Sequence, residues 1–426
     1  MTVRPDRYLP RIVDAELNLL FPALNAISIE GARGVGKTRT ASGRVARVLD
    51  CQVPQVVELL DARPESLTDG AQPVLIDEWQ RYPPSWDLVR RAVDAKQGSY
   101  LLTGSAPPSN WPMHSGAGRI VSIRMRPMTL SERGFEQPTV SVAELLSGAR
   151  PQIAGETTRD LIDYTREIVR GGFPAIRNAS AEITRATLDG YLDRIVEREF
   201  SDLGRTLRNP GVLRRWLTAY AAATSSTATF EKIRDAATPG EGSKPARSTT
   251  IHYRDTLEAL WIIDPLPGWL PYGTGLNRLN EAPKHHLADP ALAARLLGVD
   301  EAGLLSGDRT ARPGSRNFSL LGALFESLVT LNLRVGAQGA NAKAHHLRTK
   351  GGEHEIDIIL SRDDRKVVAV EVKLAQSVGD DDVRHLNWLR TQIGGDLIDA
   401  VIVTSGSVAY RRKDGIAVVP AALLGP

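Results

Sequence analysis

The chain has 426 residues, 53 Lys and Arg against 50 Asp and Glu, a formal net charge of +3, and 42% hydrophobic residues. That composition excludes a largely disordered chain, and the length provides for two or three domains with cores of their own. A single cysteine, Cys51, excludes a disulfide framework and a cysteine-based zinc site.

Charges in MTVRPDRYLPRIVDAEL interrupt the apolar core a signal peptide needs, and no apolar run approaches the roughly 18–20 residues of a membrane span. A cytoplasmic protein with no membrane partner is expected. The near-neutral charge balance neither requires nor excludes nucleic acid.

The first ~140 residues alternate strand and helix, the pattern of an α/β domain with a parallel sheet. Ala26–Ile29 reads as a strand, Lys37–Leu49 as a helix and Val74–Ile76 as a buried strand. Trp86–Lys96 follows as an amphipathic helix and Tyr100–Leu102 as a third strand, and residues 106–118 are a loop by composition. From about Leu145 to Leu305 the pattern is helical, with Asp189–Phe200 and Val212–Ala223 as examples and Thr238–Ser248 as a polar loop. From about Ser319 it returns to α/β, with strands Glu355–Leu360, Val367–Lys373 and Ala400–Thr404. The expected domains are 1–140, 141–310 and 311–426.

Gly31-Ala32-Arg33-Gly34-Val35-Gly36-Lys37-Thr38 matches G-x-x-x-x-G-K-[ST] in full. It lies between a strand and a helix, where glycines let backbone N–H groups curl around phosphate and the helix start adds its positive end. Nucleotide binding is expected from these residues and Arg39. Lys37 would reach the β- and γ-phosphates and Thr38 would ligate Mg²⁺. The strand Val74–Ile76 ends in Asp77-Glu78, with Asp77 as the metal partner and Glu78 as the base that activates water. Thr103 and Ser105 end the next strand at the same sheet edge, where a hydroxyl would sense the γ-phosphate or position the water.

These motifs recur in a fixed order with Tyr8-x-Pro10-Arg11, LIDEWQ at 75–80, LLTGS at 101–105 and GRIVSIRMRPMTLSE at 118–132. The chain resembles the prokaryotic AAA+ superfamily ATPases that carry a C-terminal domain of undefined function with a restriction-endonuclease-like fold. Gly171-Gly172-Phe173-Pro174 and Pro283-Lys284-His285-His286-Leu287-Ala288-Asp289 agree with it. The resemblance covers most of the chain. It implies an AAA+ core using ATP and Mg²⁺, a homo-oligomer when ATP is bound, and Arg119 as a γ-phosphate sensor or arginine finger.

In the middle region Thr229–Ala237 and Thr249–Trp261 have the look of a helix-turn-helix, and the family is similar in carrying a winged-helix-like element there. Arg247, His252 and Arg254 would then face DNA phosphates or base edges. The connecting segment, Thr238–Ser248, is far longer than an ordinary turn. A helical subdomain that packs on the ATPase is the alternative.

Glu355–Leu360 and Val367–Lys373 read as a hairpin centred on Asp364, with Asp357 opposite Glu371 and Glu355 opposite Lys373. Alternation then places Asp357, Glu371 and Lys373 on one face. Ile356, Ile358 and Leu360 share the other with Val372, Val370 and Val368. Two carboxylates and a lysine are the chemistry of Mg²⁺-dependent phosphodiester hydrolysis, and the family pattern adds Glu326, in Leu321–Asn332, as a third carboxylate. An exposed hairpin with a surface Glu–Lys pair is the alternative.

The leading function is ATP hydrolysis coupled to DNA handling, remodelling or regulation. The others are a nucleotide-gated nuclease and a nucleotide-switched binding protein.

Overall fold

The computed structural model describes residues 8–105, 115–200, 209–238, 244–270, 279, 282–307 and 320–426. After a short helix α1 (Val13–Leu20), the N-terminal region alternates β1 (Ala26–Glu30), α2 (Lys37–Ser42), β2 (Arg47–Asp50), α3 (Pro54–Ala62), β3 (Val74–Asp77), α4 (Pro84–Asp94), β4 (Tyr100–Gly104) and β5 (Val121–Arg124). The five strands are parallel in the order β2-β3-β4-β1-β5. Chain order reverses at β1, and the crevice beyond the strand ends at such a point is where open α/β sheets hold ligands.

One expected element is different. The helix expected over Lys37–Leu49 stops at Ser42, capped by Gly43, and Arg47–Asp50 becomes the edge strand β2. Gly43 ends the helix, and Arg47–Asp50 pair with Val74–Asp77. Backbone groups that a longer helix would have bonded internally thus join the sheet ladder.

The segment following the N-terminal sheet contributes two short strands, β6 (Val140–Ser141) and β7 (Gly155–Glu156), around α5 (Val142–Ser147). Both short strands pair with the C-terminal region, not with the helices that come next. Those helices are α6 (Leu161–Arg170), α7 (Ala181–Arg194), α8 (Pro210–Ala222), α9 (Phe230–Ala236), α10 (Arg247–Ala259), α11 (Pro290–Leu296) and α12 (Glu301–Gly307). The helix expected over Asp189–Phe200 starts earlier, at a Ser180 cap, and continues through a π turn at Ile195–Glu199.

The C-terminal region opens with α13 (Leu320–Gly339), then β8 (Lys343–Arg348), β9 (Glu355–Ser361), β10 (Val367–Lys373), α14 (Arg384–Ile393), β11 (Leu397–Thr404), β12 (Val408–Arg411), β13 (Ala417–Pro420) and β14 (Leu424–Gly425). Its seven-stranded sheet runs β7-β12-β13-β11-β10-β9-β8. Both faces are covered. Phe325 and Leu328 of α13 share one core with Ile358, Leu360, Val368, Val370 and Val372. Leu386 and Leu389 of α14 share another with Ile359, Val367 and Ala369.

Contrary to the expectation that no apolar run approaches the length of a membrane span, α13 is long and apolar enough by length and composition to cross one. It is mostly buried inside the fold, and its Glu326 and Arg334 make ion pairs there. A core helix accounts for it.

The regions meet at Asp264, which is nearly inaccessible. Its carboxylate takes Arg126 Nε and Arg334 Nη2 at 2.8 Å and Arg124 Nη2 at 3.2 Å. Arg124 ends β5, Arg126 follows it two residues on, and Arg334 is on α13. Burial alone would raise the Asp264 pKa, but the three guanidiniums outweigh it and hold the carboxyl well below its usual range.

Candidate functional site

The loop after β1 folds tightly against the end of β5. Gly31 has φ +154°, and a Cβ there would stand 2.1 Å from the Met125 carbonyl oxygen, so only glycine fits. Lys37, the first residue of α2, is buried and turns its ammonium back over the loop. Nζ donates to Gly31 O (2.7 Å), Ala32 O (2.9 Å) and Ser105 Oγ (3.4 Å). Thr38 Oγ1 donates to Asp77 Oδ1 at 2.9 Å, and Thr103 Oγ1 donates to the same oxygen. Residues from three separate segments, 37–38, 77 and 103–105, therefore meet at one sheet edge.

Glu78 follows in left-handed backbone (φ 50°) and accepts from Gln80 Nε2 at 2.5 Å. Beside it the Cys51 thiol is pushed up to about 12, first by burial and then by Asp50, Asp77 and Glu78, so it stays protonated.

Lys37, Thr38 and Glu78 line a cleft of 1180 Å³ together with Arg33, Gly34, Gly36, Arg39 and Ser105. Its opposite wall comes from Tyr8 and Leu9 and from Pro174, Ala175 and Asn178. Two residues set that wall that were read only as parts of motifs. Arg11 donates to Val35 O and to Arg126 O, each at 2.7 Å, and pairs with Glu132 at 3.1 Å. The Gly172 carbonyl accepts the Met128 N–H at 2.8 Å, and the Gly172 N–H donates to Asp289 Oδ2 at 2.8 Å. A Cβ on Gly172 would strike Met128 O at 2.5 Å. The Gly-Gly-Phe-Pro and Leu-Ala-Asp segments thus meet, although more than a hundred residues separate them.

Arg119 is elsewhere. It precedes β5, whose Val121 pairs with Ile27 near the start of β1, so it stands at the sheet edge away from the loop after Glu30. Its Nε pairs with Asp94 at 2.9 Å, and its side chain is about half exposed (49%). Within one chain it does not face the cleft.

In the middle region α9 and α10 form the expected helix pair, and part of the connecting loop, 239–243, lies outside the described residues. Arg247 is 3.7 Å from Glu231, and Arg254 pairs with Asp255 at 2.9 Å while covering the Phe230 ring. His252 is exposed on the same helix.

The hairpin register is centred on Asp364, with Val368 paired to Leu360 and Val370 to Ile358. Pairing ends there, because the Asp357 side chain takes the Val372 N–H at 2.9 Å. Ile356, expected beside Ile358, consequently lies in the opposite core with Ile359. The face expected to carry Asp357, Glu371 and Lys373 also holds Ile359, Val367 and Ala369 under α14, so the hairpin is not an exposed one.

Asp357 and Glu371 are buried, and Lys373 Nζ lies 3.5 Å from Glu371 Oε2. Between the carboxylates stands a residue absent from the expected set. Lys284 Nζ contacts Asp357 Oδ1 at 2.8 Å, Glu326 Oε1 at 2.9 Å and Glu355 Oε1 at 3.1 Å. It lies in the segment Pro283–Asp289, whose local pattern does not show where the ammonium goes. Burial would lower the Lys284 pKa, yet Asp357, Glu326 and Glu355 hold it well above its ordinary value. Burial, then the Asp357 charge, lift Glu326 to about 8 against the pull of Lys284. Burial and Asp357 likewise raise Glu371 well above the usual range. Among the described residues no group of three or more His, Cys, Asp or Glu is arranged to hold a metal.

With this geometry in view, residues 24–134 match the family described as an AAA domain. The N-terminal region is thus similar to AAA domains and carries a P-loop at 31–38. Residues 161–303 and 321–424 match two families described as domains of unknown function, DUF8612 and DUF4143.

The uncharacterized proteins Rv2008c of Mycobacterium tuberculosis and Mb2031c of Mycobacterium bovis are each 26% identical over 323 residues, covering 72% of this chain and 62% of theirs. The chain thus spans less than two thirds of the curated relatives it matches. The Walker-type ATPase PABY2304 of Pyrococcus abyssi aligns with 69% of this chain and 97% of its own at 16% identity and TM-score 0.42.

Proposed function

We propose that the ATPase domain binds ATP in the cleft between the loop 31–38 and residues 174–179 and hydrolyses it with Mg²⁺. The observation that carries this is the meeting of Lys37, Thr38, Asp77, Thr103 and Ser105 at one sheet edge beside Glu78.

The donor set suits Mg²⁺, since Thr38 and Asp77 offer only oxygen. When bound, the ion would neutralise charge on the phosphates. Lys37 exchanges its two loop carbonyls for phosphate oxygens, so nucleotide entry and loop release are one event. Glu78 accepts the proton of the attacking water, and Thr103 and Ser105 hold Asp77 and the γ-phosphate end in register. Arg119 would act only across an interface, with a second copy of the chain presenting it to this cleft in the ATP-bound oligomer. The work coupled to hydrolysis would be DNA handling, remodelling or regulation, with Arg247, His252 and Arg254 as the candidate DNA contacts.

The test is ATP turnover beside ATP affinity. Glu78→Gln should keep affinity and lose turnover by about 10²-fold or more, whereas Lys37→Ala should lose affinity. Equal turnover in wild type and Glu78→Gln would remove Glu78 from the reaction.

A second reading, nuclease action at Glu326, Asp357, Glu371 and Lys373, is favoured by the hairpin register. It is opposed by the lysine standing among those carboxylates.

A further inference from the structure

The carboxylates of β9 and α13 are gathered around one ammonium supplied by a different region. Lys284 belongs to the stretch 161–303 and Glu326, Glu355 and Asp357 follow residue 320. The ammonium donates to Asp357 Oδ1 at 2.8 Å and Glu326 Oε1 at 2.9 Å and lies 3.1 Å from Glu355 Oε1 as an ion pair. The lysine is 1% exposed, and its backbone is pinned to Leu266 by a hydrogen bond in each direction, both 2.9 Å. It did not arrive by a side-chain rotation at the surface.

The carboxyl groups of Glu326, Glu355, Asp357 and Glu371 face Lys284, Lys373 and Arg348, the last 3.3 Å from Glu355. A separate observation concerns the oxygens that the lysine does not reach. Glu326 Oε2 and Glu371 Oε1 are buried without a hydrogen-bond partner among the described residues, on side chains 1% and 3% exposed. Buried carboxylate oxygens are costly to leave unpaired, and they mark a place where a proton or a cation of higher charge would be held.

We propose that Lys284 is a built-in cation that plugs a latent divalent-metal site formed by Glu326, Asp357 and Glu371. Its ammonium contacts one oxygen each of Glu326, Glu355 and Asp357 at 2.8–3.1 Å, longer than the roughly 2.0–2.6 Å that Mg²⁺ or Ca²⁺ takes. While the lysine is in place it occupies the space among the carboxylates and already partly neutralises them. Metal would enter only if the segment carrying Lys284 withdrew, so the region matched at 161–303 controls the C-terminal site by contact. The proposal is independent of ATP hydrolysis at the N-terminal cleft.

The test uses the full chain without nucleotide. Mn²⁺ binding is counted by electron paramagnetic resonance for wild type, Lys284→Met, Lys284→Gln, and Lys284→Met combined with Asp357→Asn. Any Mn²⁺ held at the ATPase cleft is common to all four and cancels in the comparison. Lys284→Met and Lys284→Gln should each bind one more Mn²⁺ per chain than wild type, and the added Asp357→Asn should remove it. ATP affinity should be the same throughout.

Equal Mn²⁺ counts in wild type and both lysine variants would overturn the proposal, as would a gain that survives Asp357→Asn. If a lysine variant unfolds without metal, recovery of its folded circular-dichroism spectrum in Mn²⁺ supports the plug. Failure of both variants to fold with and without Mn²⁺ makes the lysine a structural cation that metal cannot replace, and the proposal falls.

Discussion

Replacing Asp264 with asparagine keeps the volume of the side chain and removes the one carboxylate that three arginines share. The contacts at stake are Arg126 and Arg334 at 2.8 Å and Arg124 at 3.2 Å, on side chains 10%, 13% and 23% exposed. An asparagine oxygen can accept from one of them but carries no charge, so three guanidiniums would be left against each other in a poorly solvated space.

Not all of their support disappears. Arg334 Nη1 also donates to the Asp264 main-chain oxygen at 2.7 Å, and Arg124 stacks on Trp261 at 4.1 Å. Stripping one partner from a buried ion pair typically costs about 3–5 kcal/mol, and the remaining contacts argue for the lower half of that range. Against a native stability of roughly 5–15 kcal/mol this is a large fraction.

The assay is urea denaturation followed by tryptophan fluorescence, with Asp264→Asn beside Arg334→Met and the double variant. The double variant should recover part of the loss, because it removes a cation along with its partner. The carboxyl pKa is depressed, so its stabilisation is present above the unfolded value near 4 and is lost as pH falls; the acid limb should flatten in Asp264→Asn. A loss within about 0.5 kcal/mol of zero, the range of an ordinary surface change, would refute the claim that this junction holds the regions together.

Glu326, lifted to about 8, keeps a proton in the folded chain that the unfolded chain releases above its ordinary 4.5. Stability should therefore fall as pH rises from about 5 to about 8, and Glu326→Gln should flatten that slope in thermal melts; an unchanged slope refutes it. Gly31→Ala forces a Cβ to within 2.1 Å of a backbone oxygen. It should displace the loop and cut ATP affinity by about tenfold or more, read by calorimetric titration. Arg119→Ala should spare ATP affinity and lower turnover by about 10³-fold or more if a neighbouring copy uses it. Full turnover in a protein that sedimentation shows to be monomeric with ATP would sink that role.

The ATPase half of the site was legible because each of its parts is local. A loop of alternating glycines between strand and helix, and an Asp-Glu pair at a strand end, are short-range patterns whose geometry follows from the backbone. The parallel sheet then had only to align two strand ends for Asp77 to meet Thr38 and Thr103. The hairpin register was legible for a similar reason, since strict alternation with one apolar face admits a single pairing. Its end was not, because the Asp357 side chain displaces the ladder and turns Ile356 away.

Beyond these, the tertiary structure decided. Nothing local to Lys284 distinguishes it from a surface lysine, and nothing local to Asp264 announces three arginines from two other regions. The early end of α2 was hidden in another way: Lys37–Leu49 has acceptable helical composition, but the sheet needed an edge strand and Gly43 allowed the break. Sequence by itself determined the elements whose conformation depends on neighbours a few residues away. Which charges face one another was settled only by packing, because a buried ion pair takes its stability from partners brought together across more than forty residues and from the water removed around them.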